Sequence, residues 1–356
     1  MGEVCMIPEG LECCLGQRQV LLRPNPELVN PKFLLFALQS TTVQHQIAWN
    51  EGTGSTVSNL RIPVLKSLEI PVPERSLQDN VAEILGSIDD RIDILRQTNA
   101  TLEAIAQALF KSWFVDFDPV HAKAEGREPE GMDPATAALF PSEFEDSELG
   151  PIPKGWRTVS FDEVAVLSKG TINPLHEPDT QFEHYSLPAF DAGQLPVHEQ
   201  GEAIKSNKTL VPPNAVLVSK LNPHIPRIWA VGQVGESAVC STEFLVWVPK
   251  APATSAFVYC LASSRAFNSA MRQLVTGTSN SHQRVKPAQL GGIRVCAVSD
   301  RAMEAFASAV GPLLQKVLDN RQQSATLAQL RDTLLPRLIS GKLRLPEVRK
   351  FAEDKA

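Results

Sequence analysis

Apolar residues recur through residues 85–114, LGSIDDRIDILRQTNATLEAIAQALFKSWF, at Leu85, Ile88, Ile92, Leu95, Leu102, Ala106, Leu109 and Trp113. The steps are threes and fours, broken once by a seven that passes over Asn99. This is a heptad seam with every a and d position apolar except Asn99, and it predicts one helix over about residues 78–115. At ~1.5 Å per residue such a helix is roughly 55 Å long. Its stripe stays wet unless a second helix covers it.

A shift of 225 positions supplies the second helix. Gly52 and Thr53 fall on Gly277 and Thr278, Leu65 on Leu290, Leu68 on Ile293 and Ile70 on Val295. Along the helix, Leu85 falls on Val310, Ile88 on Leu313, Ile92 on Val317, Leu102 on Leu327 and Leu109 on Leu334. A shift of 224 sets PKFLLFALQS (31–40) against SAFVYCLASS (255–264). One offset held through a strand-like region and a long helix predicts an internal duplication. The second helix, about residues 302–340, is then the antiparallel partner of the first. Its seam is more polar, with Asn320, Ser324 and Arg331 at positions equivalent to Leu95, Asn99 and Ala106. Asn99 and its repeat mate Ser324 are expected to form one buried polar layer that fixes the register. Under the same shift Trp156 corresponds to a position 69 residues before Met1. The first half is therefore expected to lack the front of its own domain.

Between the helices the periodicity shortens. Residues 1–78 hold β-like pieces at 19–22 and 65–72, and a short helix over 31–40 opened by Asn30-Pro31. Residues 116–155 are rich in Pro, Gly and acid and read as a surface-hugging linker rather than a folded unit, with Leu139, Phe140 and Phe144 docking it onto another part of the chain. Residues 156–300 carry strand candidates at 156–161, 164–167, 215–219, 229–234, 244–248 and 293–297, with a helix over 255–274. The predicted class is α+β, with β-rich domains alternating with two long helices that pair as a coiled coil. The expected order is a partial first domain (1–78), the first helix (79–115), the linker (116–155), a second domain (156–300), the second helix (301–340) and a charged tail (341–356).

Composition narrows the class. The chain has 356 residues, 43% of them hydrophobic, enough for more than one core. No run of ~18 apolar residues is present, so no transmembrane span is expected. The six cysteines form no CxxC or His-Cys cluster and read as reduced cytosolic thiols, which predicts a cytoplasmic protein. A net charge of −6 argues superficially against nucleic acid. However, residues 116–150 hold ten acidic groups against Lys123 and Arg127, a net of −8, which leaves the rest of the chain at +2.

No catalytic constellation or metal-ligand spacing is present, and no phosphate loop. Asn222-Pro223-His224-Ile225 is faintly similar to the Asn-Pro-Pro-aromatic motif of DNA amino-methyltransferases, but two positions fail and no glycine-rich cofactor loop precedes it. Acidic pairs such as Asp89-Asp90 fall on the solvated side of the heptad helix. Binding chemistry is better represented. Residues 211–229, VPPNAVLVSKLNPHIPRIW, place Lys220, Asn222, His224 and Arg227 on a proline-stiffened loop. Residues 276–286, TGTSNSHQRVK, gather Ser279, Asn280, Ser281, Gln283, Arg284 and Lys286, and the duplicate loop offers Ser55, Thr56, Asn59 and Arg61. Such side chains hydrogen-bond phosphates and base edges. An ordinary polar loop has the same composition.

Three segments carry a resemblance to a known family. They are LKSLEIPVPERSLQDNVAEILGSIDDRIDILRQTNATLEAIAQALFKSWFVDFDPVHAK, GPIPKGWRTVSFDEVA and LAQLRDTLLPRLISGKLRL. Together they resemble the specificity subunit of type I restriction-modification systems, over most of the chain. The resemblance implies a non-catalytic subunit without a cofactor of its own. Its recognition domains would read the two halves of a split site in double-stranded DNA, with the helix pair as spacer. It also implies two methyltransferase subunits and restriction/translocase subunits as partners, and no membrane. Lys111, Trp113, Phe114 and Phe117 become candidates for the methyltransferase contact. The alternative for Trp113 and Phe114 is that they cap the coiled-coil core. Other readings of the whole chain are a coiled-coil assembly module without DNA reading of its own, and a methyltransferase.

Overall fold

The structure, a computed structural model, describes residues 2–49, 60–275 and 283–340. Its helices are, in chain order, α1 (Pro31–Gln39), α2 (Thr41–Trp49), α3 (Ile62–Lys66), α4 (Arg75–Phe114), α5 (Asp118–Ala124), α6 (Pro134–Ala137), α7 (Phe161–Val164), α8 (Leu187–Asp191), α9 (Ser255–Ser263), α10 (Arg265–Gln273), α11 (Pro287–Gly291) and α12 (Asp300–Ile339). The helix starts carry the duplication. α1 and α2 recur as α9 and α10 after 224 residues, and α3 and α4 recur as α11 and α12 after 225. Small details recur too. Ser40 (φ −63°, ψ 148°) ends α1 and Ser264 (φ −65°, ψ 150°) ends α9, both in extended backbone. Each serine Oγ then accepts from the third residue of the next helix, Val43 N at 3.5 Å and Phe267 N at 3.2 Å. The single helix expected over 255–274 is therefore two helices broken at Ser264.

The chain forms two compact units, residues Met1–Leu95 with Gln323–Ala356 and residues Arg96–Gln322. In the first unit, Asn30 caps α1 as its sequence indicated, its Oδ1 accepting from Lys32 N and Phe33 N. Gln78 is 1% exposed and fully used: it accepts from Asn30 N at 2.8 Å and donates to Pro73 O and Leu28 O. It thereby fixes the entry of α1 to the first turn of α4. Phe33, Phe36, Val81 and Leu85 pack with Leu335, Leu338 and Ile339 of α12 in one core. Beyond that core, Asp89 accepts from Arg331 at 2.8 Å. Asp89 is therefore half-covered and paired, where the heptad pattern had placed it in solvent.

The second unit holds all the strands found among the described residues. They are β1 (Phe144–Ser147), β2 (Gly150–Pro153), β3 (Arg157–Ser160), β4 (Ala165–Leu167), β5 (Thr171–Ile172), β6 (Gln181–Tyr185), β7 (Val197–Gln200), β8 (Lys208–Leu210), β9 (Val216–Ser219), β10 (Ile228–Ala230), β11 (Ala238–Cys240), β12 (Phe244–Pro249) and β13 (Arg294–Ala297). β10-β9-β12-β4 form an antiparallel sheet. β5-β8-β11-β6-β7 form a second sheet with one parallel pair, β11 with β6. β3 pairs with β13, and β1 with β2. The strand candidates at 156–161, 164–167, 215–219, 229–234, 244–248 and 293–297 correspond to β3, β4, β9, β10, β12 and β13.

Three expectations change. Residues 116–155 are folded: α5, α6 and the β1–β2 hairpin sit against the core through Val120, Phe140 and Ile152, each at most 4% exposed. Residues 19–22 are exposed coil, and residues 67–72 form no strand. Residues 69–72 are the repeat counterparts of β13. β13 exists because β3 pairs with it, and the described residues of the first unit contain no strand to play that role. Lastly, Asn99 pairs with Asn320 rather than Ser324. Asn320 Nδ2 donates to Asn99 Oδ1 at 2.8 Å, and Asn99 Nδ2 donates to Val317 O at 3.2 Å. In an antiparallel pair the repeat sets Asn99 opposite Asn320 and, equivalently, Leu95 opposite Ser324, so a residue need not face its own repeat mate.

Candidate nucleic-acid interface

β9 and β10 are joined by residues 220–227, and three sets of backbone bonds hold this loop. Ser219 N donates to Arg227 O at 3.0 Å and closes its base. Ile225 N donates to Asn222 O at 2.8 Å and makes the internal turn, with Asn222 in the left-handed region at φ 50°. Lys220 N donates to Glu243 O at 3.0 Å, just before β12 begins. Pro223 and Pro226 stiffen what remains.

The loop is also tied to the second polar segment. Asn222 N donates to Gln283 O at 2.8 Å, Val285 N donates to Lys220 O at 3.0 Å, and Leu221 and Arg284 form an isolated bridge. From α10, Arg272 donates to His224 O at 3.3 Å. Residues distant in sequence thus form one patch of Lys220, Asn222, His224, Arg227, Gln283, Arg284 and Lys286, with Arg272 at its margin. Asn222 Oδ1 is buried and has no donor among the described residues. Ser279, Asn280 and Ser281 lie outside the described residues, as do Ser55, Thr56 and Asn59. Arg61 is exposed in the first unit at the start of α3, and its repeat mate Lys286 stands at the start of α11 in the same extended conformation.

Two carboxylates in the patch were not visible in the sequence pattern, because each lies far along the chain from its arginine. Asp191, at the end of α8, takes Arg227 Nε at 2.7 Å and Nη2 at 2.9 Å. The arginine's hydrogen bond holds the Asp191 carboxyl below the usual carboxylate range, and the pair raises Arg227 in turn. Glu243 takes Arg284 Nη2 at 3.0 Å and Nε at 3.1 Å, which raises Arg284. The two pairs differ in exposure. The Arg227 side chain is 13% exposed and braces the returning end of the loop, while Arg284 is 49% exposed. Arg272, on α10, likewise lies outside both polar segments of the sequence.

The candidates for a methyltransferase contact separate. Trp113 and Phe114 are 8% and 5% exposed, inside an aromatic core with Phe110, Phe140, Trp156, Phe257 and Phe306. Their rings meet edge to face, Phe114 with Phe306 at 5.1 Å and Trp113 with Phe140 at 5.5 Å. Both are buried in this aromatic core, which includes residues of the sheets and of α9 as well as of the long helices. Phe117 is half-buried at φ 54° between Phe144 and Trp156. Lys111 is exposed and bonded to Asp116. Among the described residues no group of His, Cys, Asp or Glu could hold a metal ion, and no helix is long and apolar enough to cross a membrane.

Comparison with known proteins shows what the chain is similar to. Residues 1–104 match the model of the type I restriction modification DNA specificity domain. The chain is 23% identical over 376 aligned residues to the type I restriction enzyme HindI specificity subunit of Haemophilus influenzae, covering 91% of this chain and 80% of that one. It is 26% identical over 364 aligned residues to the MjaIX specificity subunit of Methanocaldococcus jannaschii, covering 98% and 76%. Among solved structures, the S subunit of a type I restriction-modification system from M. genitalium aligns with a TM-score of 0.47 at 18% identity, over 88% of this chain and 74% of that one. Residues 1–104 are thus similar to a type I restriction modification DNA specificity domain, and nearly the whole chain is similar to specificity subunits of type I restriction enzymes.

Proposed function

We propose that this chain is a non-catalytic subunit that reads a sequence in double-stranded DNA and directs methyltransferase and restriction subunits to it in the cytoplasm. The observation that carries the reading is the patch on residues 220–227 and 283–286. It joins a stiff loop, exposed basic groups and amide side chains in one place, the chemistry that phosphates and base edges require. Residues 156–300 act as a recognition domain, and residues 1–78 contribute to a second. The long helices join them and offer surfaces to the methyltransferase subunits, with Lys111 and Phe117 the more accessible of the candidates Lys111, Trp113, Phe114 and Phe117.

Methylome sequencing of a host that carries this chain with its methyltransferase partners tests the proposal. A bipartite methylated motif that appears only when the chain is present is the expected result. Arg284→Ala should relax or abolish one half of that motif and leave the other half intact. A methylome independent of the chain would rule the function out. An unchanged motif in the Arg284 variant would remove Arg284 from the reading surface.

A further inference from the structure

Glu243 occupies an unusual place for an acid on a surface that must approach phosphates. Its side chain is 23% exposed, less than half the exposure of the arginine it holds. Its own backbone is fixed on both sides: Glu243 N donates to Ser241 Oγ at 3.3 Å, and Glu243 O accepts from Lys220 N at 3.0 Å. It therefore meets Arg284 from a rigid base at the head of β12. The carboxylate takes the guanidinium along its Nε–Nη2 edge. A guanidinium gripped along that edge turns its other edge, Nη1 with Nη2, away from the carboxylate. Two parallel N–H groups on one edge are the match for O6 and N7 of guanine in the major groove. The Arg227–Asp191 pair has the same fork, but its arginine is largely covered, which makes it a strut of the loop.

We infer that Glu243 is a specificity-determining positioning residue, which presents Arg284 to a guanine and keeps it from serving as a sequence-independent phosphate contact. This rests on the reading of the patch as a DNA surface. An arginine without the carboxylate swings through many rotamers and finds any phosphate within reach. With the carboxylate in place its direction is set, and a phosphate that approaches meets the negative charge of Glu243 as well.

The test selects binding sites from a randomised DNA duplex library with the full-length chain, in the original form and as Glu243→Gln, Glu243→Ala and Arg284→Lys. The original chain should enrich a motif containing a guanine that depends on Arg284. Both Glu243 variants should lose preference at that one base by about tenfold, the scale of one bidentate base contact. At the same time they should bind arbitrary duplex more tightly, with a salt slope steeper by about one, as a guanidinium no longer directed by Glu243 takes a phosphate. Arg284→Lys should lose the base preference as well, since an ammonium has no fork. The inference is overturned if the Glu243 variants keep full preference, or if specific and non-specific binding fall together with melting temperature, which is what a purely structural residue would produce. Failure of the original chain to enrich any sequence would overturn the DNA reading itself, and the role of Glu243 with it.

Discussion

Glu103 joins three helices through one oxygen. Its Oε1 accepts from Arg321 Nη2 of α12 at 2.6 Å and from the Tyr259 hydroxyl of α9 at 3.2 Å. Burial, and after it the Glu103 carboxylate, push the Tyr259 phenol well above its ordinary value, so it stays a donor. The heptad pattern puts Glu103 beside the seam and predicts nothing further, because Tyr259 and Arg321 are each more than 150 residues away. An arginine with 9% side-chain exposure is tolerable only while paired. Arg321→Met should lower unfolding free energy by about 2–3 kcal/mol, at or below the low end for broken buried pairs because Glu103 is itself 28% exposed. Glu103→Leu in the same background should recover part of that loss, since no unpaired charge remains. Denaturant titration of the two variants measures both effects.

At the scale of elements, the sequence showed its long helices and its capped helix well and its small strands poorly. A heptad is written locally, and so is Asn30-Pro31. β6 and β11 are five and three residues long and exist because of pairings made elsewhere in the chain, including the parallel pair. The segment at 69–72 shows the reverse, a strand-like pattern with no strand beside it among the described residues. Asn99 was recognisable as the polar position in an apolar seam, but its partner was not. Repeat symmetry pointed to Ser324, and the crossing of the helices selects Asn320. The consequence for stability is specific. Asn99→Leu alone should destabilise by about 1–3 kcal/mol, because it strips the buried Asn320 amide of an acceptor. The double variant Asn99→Leu, Asn320→Leu should match or exceed the melting temperature of the original chain while its helix register becomes less defined. Thermal unfolding followed by circular dichroism distinguishes these outcomes. A double variant less stable than the single one would show that the layer contributes net stability.

At the scale of the whole molecule, the duplication was readable because offsets of 224 and 225 align the hydrophobic pattern of the two copies, and the structure shows four helices per copy at those offsets. The candidate site was only partly readable. The loop residues announced themselves by composition, whereas the acids that restrain them came from α8 and the turn before β12. Those acids also set how strongly salt should act. The patch brings together Lys220, Arg227, Arg272, Arg284 and Lys286 against Asp191 and Glu243, an excess of three positive charges. If three phosphates are neutralised, affinity of the isolated chain for duplex DNA should fall about 40-fold between 50 and 200 mM salt. Fluorescence anisotropy at several salt concentrations checks this. A slope equivalent to eight or more phosphates would point to a different and larger surface.

The helix pair has a further consequence during synthesis. Asn99 and Asn320, which bond to each other, are separated by 221 residues. At about 5–20 residues per second, on the order of ten to forty seconds pass between the making of α4 and the making of its partner. Over that interval an apolar stripe several turns long stands in water on the ribosome. The nascent chain has to be kept from self-association by something other than its final fold, and a slowed ribosome would lengthen that exposure in direct proportion.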